Sequence, residues 1–205
     1  MPSLHSLSGI LLLGGEGKRM GSRKSELVLD GVPLVERALD TLHSVGSPVV
    51  IVHAPAQDAS RWSARGICVA DERERAGPLE ALRVGLRALE SHAELAFVLA
   101  VDAPFVTGSF VRALAARIGD ADAVIPRTAD GTHPLIAVYR VRVHHEAQRL
   151  LESGARALSA LLDALRVRFV EGDELAALDP NGHALFNVNT PADLARAEEI
   201  ARETA

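Results

Sequence analysis

The sequence predicts an α/β domain: three layers, α/β/α, around a mostly parallel central sheet. Two observations carry this. Short aliphatic runs of strand length alternate with amphipathic segments of helical period. Their order, β-α-β-α-β-α-β, requires crossover helices that cover both faces of a parallel sheet. The core is aliphatic, because hydrophobic residues make up 48% of the chain and aromatic ones only 3%.

The elements follow in order. Strands are expected at Ser8–Leu13, Pro48–His53, Gly66–Ala70 and Ala96–Val101, and helices at Pro33–Val45, Ala56–Ala64 and Pro78–Glu90. Pro33 and Pro78 stand where a first helical turn begins, with Gly77 as the N-cap of the latter. Thr107–Ile118 reads as a helix, Ala121–Pro126 and "HPLIAVYR" as strands, Val143–Glu152 and Ala155–Leu165 as helices, and Val167–Glu171 as a strand. The last helix lies in "NTPADLARAEEIARE", where Thr190 is the N-cap, Pro191 the first helical residue and Asp193 the reciprocal capping carboxylate. The 205 residues contain no repeat, low-complexity stretch or linker, so residues 1–205 are expected to form a single domain.

The net charge of −5 argues against a general nucleic-acid or anionic-membrane surface. A single cysteine, Cys68, allows no intramolecular disulfide and fits a reducing compartment. Met1–Ser8 has no signal-peptide pattern and no apolar run reaches membrane-spanning length, so a cytoplasmic location is expected.

Against that acidic background, "GILLLGGEGKRMGSRKS" places Gly14, Gly15 and Gly17 after an apolar strand, with Lys18, Arg19, Arg23 and Lys24 close behind. Glycine lets backbone N–H groups approach a polyphosphate closely and tolerates positive φ. The stretch has no Gly-Lys-Ser/Thr of a P-loop. It also breaks the G-x-G-x-x-G spacing, since Met20 stands where the third glycine belongs. What remains is G-G-x-G-x-R-M-G-x-x-K, in which Arg19 and Lys24 are spaced to meet a phosphate chain from two sides; the plainer alternative is a basic, solvated loop. Asp102 ends the apolar strand of "FVLAVDAPF" at the sheet edge that carries the glycine loop, where a hard carboxylate could hold Mg²⁺ on a triphosphate. Read alone, it is equally a turn residue before Pro104.

The stretch "LLGGEGKRMGSRKSELVLDGVPL" resembles the signature of the molybdenum cofactor nucleotidyltransferases, especially the guanylyltransferases, a branch of the Rossmann-like sugar-phosphate and pterin nucleotidyltransferases. The pair Gly14–Gly15 is the guanylyl-type form, where the related cytidylyltransferases more often have A-A-G. "VDAPF" is similar to the family's metal-binding C-D-x-P-[FY], with Asp102, Pro104 and Phe105 kept. Gly77-Pro78-Leu79 resembles its G-P-L-x-G-[LI] turn, with Ala81 for the usual glycine. Asp71 matches its nucleotide-contacting Asp, and His53 stands where the family often has Asn. "DGTHPLIAVYR", "ESGARALSALLDAL" and "ALFNVNTPADLARAE" resemble three further motifs, so the likeness runs from about Ile10 to Glu198.

The resemblance implies transfer of GMP from GTP to the molybdenum pterin cofactor, with release of pyrophosphate and formation of the guanine dinucleotide form. It implies nucleotide contacts at Leu12, Leu13, Gly14, Gly15, Gly17, Lys24, His53, Asp71, Gly77, Pro78, Leu79 and Asp102, and catalytic roles for Arg19, Lys24 and Asp102. Mg²⁺ is the implied cofactor, with Asp102 as its ligand. His133, Arg156, Asn187 and Asn189 are the implied contacts to the second substrate, although Asn189-Thr190-Pro191 alone reads as a helix cap. Transient contact with cofactor-synthesis or molybdoenzyme partners follows from the same likeness. The alternatives are a cytidylyltransferase on the same cofactor, a sugar-phosphate nucleotidyltransferase, and an inactive nucleotide- or cofactor-binding protein. Gly14 and the Asn187/Asn189 motif count against the first two, Lys24 with Asp102 against the third.

Overall fold

The computed structural model describes residues 6–13, 26–71 and 77–204. Among them, the main sheet is built from β1 (Leu7–Leu12), β4 (Val49–His53), β5 (Ile67–Ala70), β6 (Leu95–Ala100), β7 (Ala123–Thr128), β9 (Ile136–Arg140) and β10 (Val167–Val170), in the spatial order β10-β7-β9-β6-β1-β4-β5. A short strand, β8 (Gly131–Thr132), pairs back onto β7. Strands β6, β1, β4 and β5 are parallel to one another, as are β7 and β10. Strand β9 runs antiparallel to both β6 and β7, so the sheet is mixed. The sequence pattern reveals that this segment is a strand but not its direction, which is set by tertiary pairing.

Alternation along the strands divides the core in two. Leu11, Ile51, Phe97, Leu99 and Val138 face one side, against α1 (Leu34–His43), α3 (Gly108–Ala115), α6 (Gly172–Leu178) and α7 (Pro191–Thr204). Ile10, Val50, Val52, Ala96 and Val98 face the other, against α2 (Pro78–Ala88), α4 (Val143–Glu152) and α5 (Leu158–Ala164). This is the expected three-layer sandwich, with the two-residue period of a strand distributing the aliphatic side chains between both helical layers. No helix among the described residues is long and apolar enough to cross a membrane.

Two local expectations change, and one element is added. Ala56–Ala64 holds only a 3₁₀ turn, Ser60–Trp62: the Asp58 carboxylate accepts from the Ser60 amide at 2.9 Å and Gln57 N–H donates to Ala54, so side-chain and turn bonds replace the helical ladder. Helix α5 starts at Leu158, not Ala155, which leaves Arg156 in the preceding loop. A hairpin precedes α1: β2 (Val28–Leu29) pairs with β3 (Val32–Pro33) across Asp30 (φ 51°) and Gly31 (φ 73°). Asp-Gly between apolar residues is the sequence signal for such a turn.

Helix α2 packs through Leu79, Leu82 and Leu86, with Leu89 just past its end, an i, i+3, i+7 stripe that is fully buried. It also buries an ion pair: Arg83 Nε and Nη2 donate to the two carboxylate oxygens of Glu80 at 2.8 and 2.9 Å, with side-chain exposures of 3% and 1%. The bidentate geometry keeps both charges paired away from water. Replacing Arg83 by Leu strands the carboxylate, so Arg83→Leu should cost about 3–5 kcal/mol. Urea denaturation measures this; a loss below ~1 kcal/mol would show that the pair does not fix the helix.

Candidate active site

Because β6, β1, β4 and β5 run the same way, the segments that follow them leave at one edge of the sheet. Register pairs Leu12 with Ala100 and with Val52, and His53 with Ala70. Leu13, which follows β1, His53 at the end of β4, Asp71 just after β5 and Asp102 just after β6 therefore share that edge. Backbone bonds lock the exits: Leu13 N–H donates to Val52 at 2.9 Å, Val101 N–H to Leu12 at 3.2 Å and Asp71 N–H to His53 at 2.8 Å. The chain winds from β1 outward to β4 and β5, then returns to β6 on the other side of β1. In open α/β sheets such a reversal leaves a crevice at the carboxyl ends. Leu13 and Asp102 flank it.

The sequence-predicted residues fall as follows. Leu12 and Leu13 are buried. Gly14, Gly15, Gly17, Arg19 and Lys24 lie outside the described residues. His53 is half-buried, and its Nδ1 donates to the Ala54 carbonyl at 2.9 Å. Asp71 and Asp102 are both half-buried.

Gly77 is the N-cap of α2 at φ 83° and ψ 178°, with Pro78 at N1 and Leu79 buried beneath. That conformation is open essentially to glycine alone. A Cβ there would stand 3.1 Å from the Arg156 carbonyl oxygen, so the turn before α2 touches the α4–α5 loop backbone to backbone. Arg156 itself is exposed, and its Nη1 donates to the carbonyls of Leu151 and Ala155 at 3.1 and 2.7 Å.

His133 reaches the same edge because β9 is reversed: its beginning, not its end, lies there. His133 N–H donates to Pro126, and Leu135 accepts from Ala100 N–H at 2.9 Å, tying the His-Pro turn to the end of β6. The imidazole Nε2 lies 3.1 Å from Thr128 Oγ1, and burial pushes its pKa below the ordinary histidine value, with Asp130 partly opposing.

The C-terminal motif closes the edge. Val188 N–H donates to the Asp102 carbonyl at 2.8 Å. Thr190 and Asp193 form the expected cap: Asp193 Oδ2 accepts from the amides of Asn189 and Thr190 at 2.9 and 2.8 Å, and Asp193 N–H donates to Thr190 Oγ1 at 3.2 Å. Asn187, half-buried, donates to the Leu185 carbonyl at 3.2 Å, while Asn189 is exposed. Sequence reasoning missed the aromatic packing here. Phe105 sits 6.0 Å from the His183 ring and 6.1 Å from Phe186, joining "DAPF" to "HALFN". The scarcity of aromatics was the available signal: two of the five phenylalanines fall in these two motifs.

Residues 9–168 match the family model described as "MobA-like NTP transferase domain". The chain is 33% identical over 197 residues to a molybdenum cofactor guanylyltransferase of Desulfosudis oleivorans, covering 95% of this chain and 96% of that one. It is 36% identical to a probable molybdenum cofactor guanylyltransferase of Mycobacterium tuberculosis, covering 94% of each. Among solved structures, the molybdopterin-guanine dinucleotide biosynthesis protein A of Archaeoglobus fulgidus superposes with a TM-score of 0.82 at 30% identity, covering 96% of this chain and 99% of that one.

The Gly77–Arg156 approach is testable without substrate. Gly77→Ala places a Cβ against the Arg156 carbonyl in a strained backbone conformation, so it should destabilise the fold by about 1–3 kcal/mol. Equal midpoints of thermal unfolding for variant and parent would mean that the two loops do not meet as described.

Proposed function

We propose, from the premise that this chain belongs to the MobA-like NTP transferase family, that it transfers GMP from GTP to the molybdenum pterin cofactor. The terminal phosphate oxygen of the cofactor attacks the α-phosphorus of GTP; a P–O bond forms, the α–β phosphoanhydride breaks, and pyrophosphate leaves with the electron pair. The nucleophile is already ionised, so positioning and charge neutralisation carry the rate, and no strong general base is needed. The observation that supports this most is the meeting of β1 and β6 at the reversal of strand order, with Leu13 on one side and Asp102 on the other.

The residues divide into two sides. Leu12, Leu13, His53, Asp71, Gly77, Pro78 and Leu79 line the GTP side, with the loop of Gly14, Gly15 and Gly17. Arg19 and Lys24 neutralise the phosphates. The Asp71 carboxylate is suited to accept from guanine N1–H and N2–H₂, a donor pair that cytosine lacks. His133, Arg156, Asn187 and Asn189 serve the pterin side. Asp102 fits Mg²⁺ by donor chemistry: a half-buried hard carboxylate at a strand end, for an ion that normally takes one or two carboxylates plus phosphate oxygens and waters. Bound there, Mg²⁺ would supply charge neutralisation on the triphosphate and the departing pyrophosphate. The two helical layers packed on one sheet support the reading of residues 1–205 as one catalytic unit, acting in the cytoplasm.

Turnover with the four nucleoside triphosphates at equal concentration decides the base. GTP should be preferred, and use of CTP as well as GTP would overturn the guanylyl assignment. Asp71→Asn should weaken GTP by about 1.5–3 kcal/mol, the worth of a hydrogen bond to a charged group, and CTP much less; an equal effect would remove Asp71 from base reading.

Asp102→Asn keeps shape and polarity but removes the charge. The variant should melt with the parent in the absence of ligand, bind metal-free GTP equally, and lose the affinity gained with Mg²⁺, with turnover falling by on the order of 10²–10³. Equal strengthening of GTP binding by Mg²⁺ in both proteins would place the ion elsewhere.

A further inference from the structure

At the opposite edge of the sheet, where β6 begins and β9 ends, three metal-ligating side chains converge. Glu90 follows the C-terminus of α2, and His144 and His145 lie in the first turn of α4. Their ligand atoms all lie within 4.8 Å of one another, in an open groove that Glu94 also lines. None of these residues takes part in the proposed transfer chemistry.

His144 carries the argument. Its side chain is 7% exposed, yet Nε2 has no hydrogen-bond partner among the described residues. A buried polar atom left in that state is costly and rare in native structures. Glu90 Oε1 stands 3.3 Å from this nitrogen, but outside hydrogen-bond geometry. The same oxygen is 3.7 Å from His145 Nε2, and the two imidazole rings lie 3.9 Å apart at 40°. Donors about 2.0–2.1 Å from a tetrahedral zinc ion stand about 3.3–3.4 Å from one another. Both nitrogen–oxygen separations are near that value. The atom that lacks a well-formed hydrogen bond, with only the Glu90 carboxylate beside it, is the one a metal would take.

We propose that Glu90, His144 and His145 form a binding site for a zinc-class divalent cation. Two imidazole nitrogens with one carboxylate suit Zn²⁺ and disfavour Mg²⁺ and Ca²⁺, which take oxygen donors. Three protein ligands leave a fourth position for water from the groove. Two of the nearby cations are engaged elsewhere: Arg142 Nη2 donates to Asp122 at 2.9 Å, and Arg140 to the carbonyls of Ala121 and Gly119. Arg87 acts on His144 and opposes a cation, whereas Glu90 and Glu94 supply two negative charges. A metal here pins the end of α2 to the start of α4. The site is independent of the proposed nucleotide chemistry.

The test uses the full-length, tag-free chain, stripped of metal and titrated calorimetrically with Zn²⁺ in excess Mg²⁺ and without nucleotide. The expected result is one equivalent of zinc. Glu90→Gln and His145→Ala change exposed side chains, at 57% and 71%. Each should leave metal-free melting unchanged and weaken zinc binding at least ~10-fold. Co²⁺ should give the intense visible spectrum of a four-coordinate ion, and both variants should lose it. Asp102→Asn should bind zinc like the parent. Absence of binding, binding unchanged in Glu90→Gln and His145→Ala, or binding lost in Asp102→Asn instead would each overturn the proposal.

Discussion

Strand β1 pairs in parallel with β4 on one side and β6 on the other, and that double pairing brings Leu13, His53 and Asp102 to one edge. Ladder hydrogen bonds hold Leu12 level with Val52 and Ala100, so the chain leaves all three strands at the same height. The side chains of Ile10 and Leu11 are wholly inaccessible, one on each face, and each fully buried aliphatic side chain contributes roughly 1.5–3 kcal/mol. Sliding β1 by one residue would exchange its two faces and shift Leu13 away from Asp102. The positions of the candidate groups therefore inherit the rigidity of the core.

Much of this was legible in the sequence because it rests on local pattern. The aliphatic runs and the helical periods located the main strands and most helices, and Thr190-Pro191 with Asp193 announced the last helix through cap chemistry that operates within four residues. The direction of β9 was not legible: a strand reads the same whichever way it runs, and only its pairing with β6 and β7 fixes it. The segment Ala56–Ala64 misled for a related reason. Its composition suits a helix, but the Asp58 carboxylate takes the Ser60 amide and starts a turn instead.

The candidate site divides similarly. Asp71 and Asp102 follow apolar strands, so their edge was legible in the sequence. His133 and Arg156 were expected at the site from family likeness alone. The structure adds the reasons they reach the same edge: the reversed β9 for one, the bare approach of Gly77 to the Arg156 carbonyl for the other. The pairing of Phe105 with His183 and Phe186 is a contact between segments some eighty residues apart, which no local pattern encodes.

The bond from Val188 N–H to the Asp102 carbonyl joins the end of the central strand to a segment near the far end of the chain. On a ribosome, β1, β4, β5 and β6 emerge well before Val188 does. The growing chain can therefore pair its central strands while the Asp102 carbonyl still faces water. The Asp102 backbone gains this partner only when the segment before the last helix arrives, so the edge that carries Asp102 is completed after the central strands have paired. Synthesis order thus separates the pairing of the central strands from the closing of that edge, an ordering in time that the finished fold no longer displays.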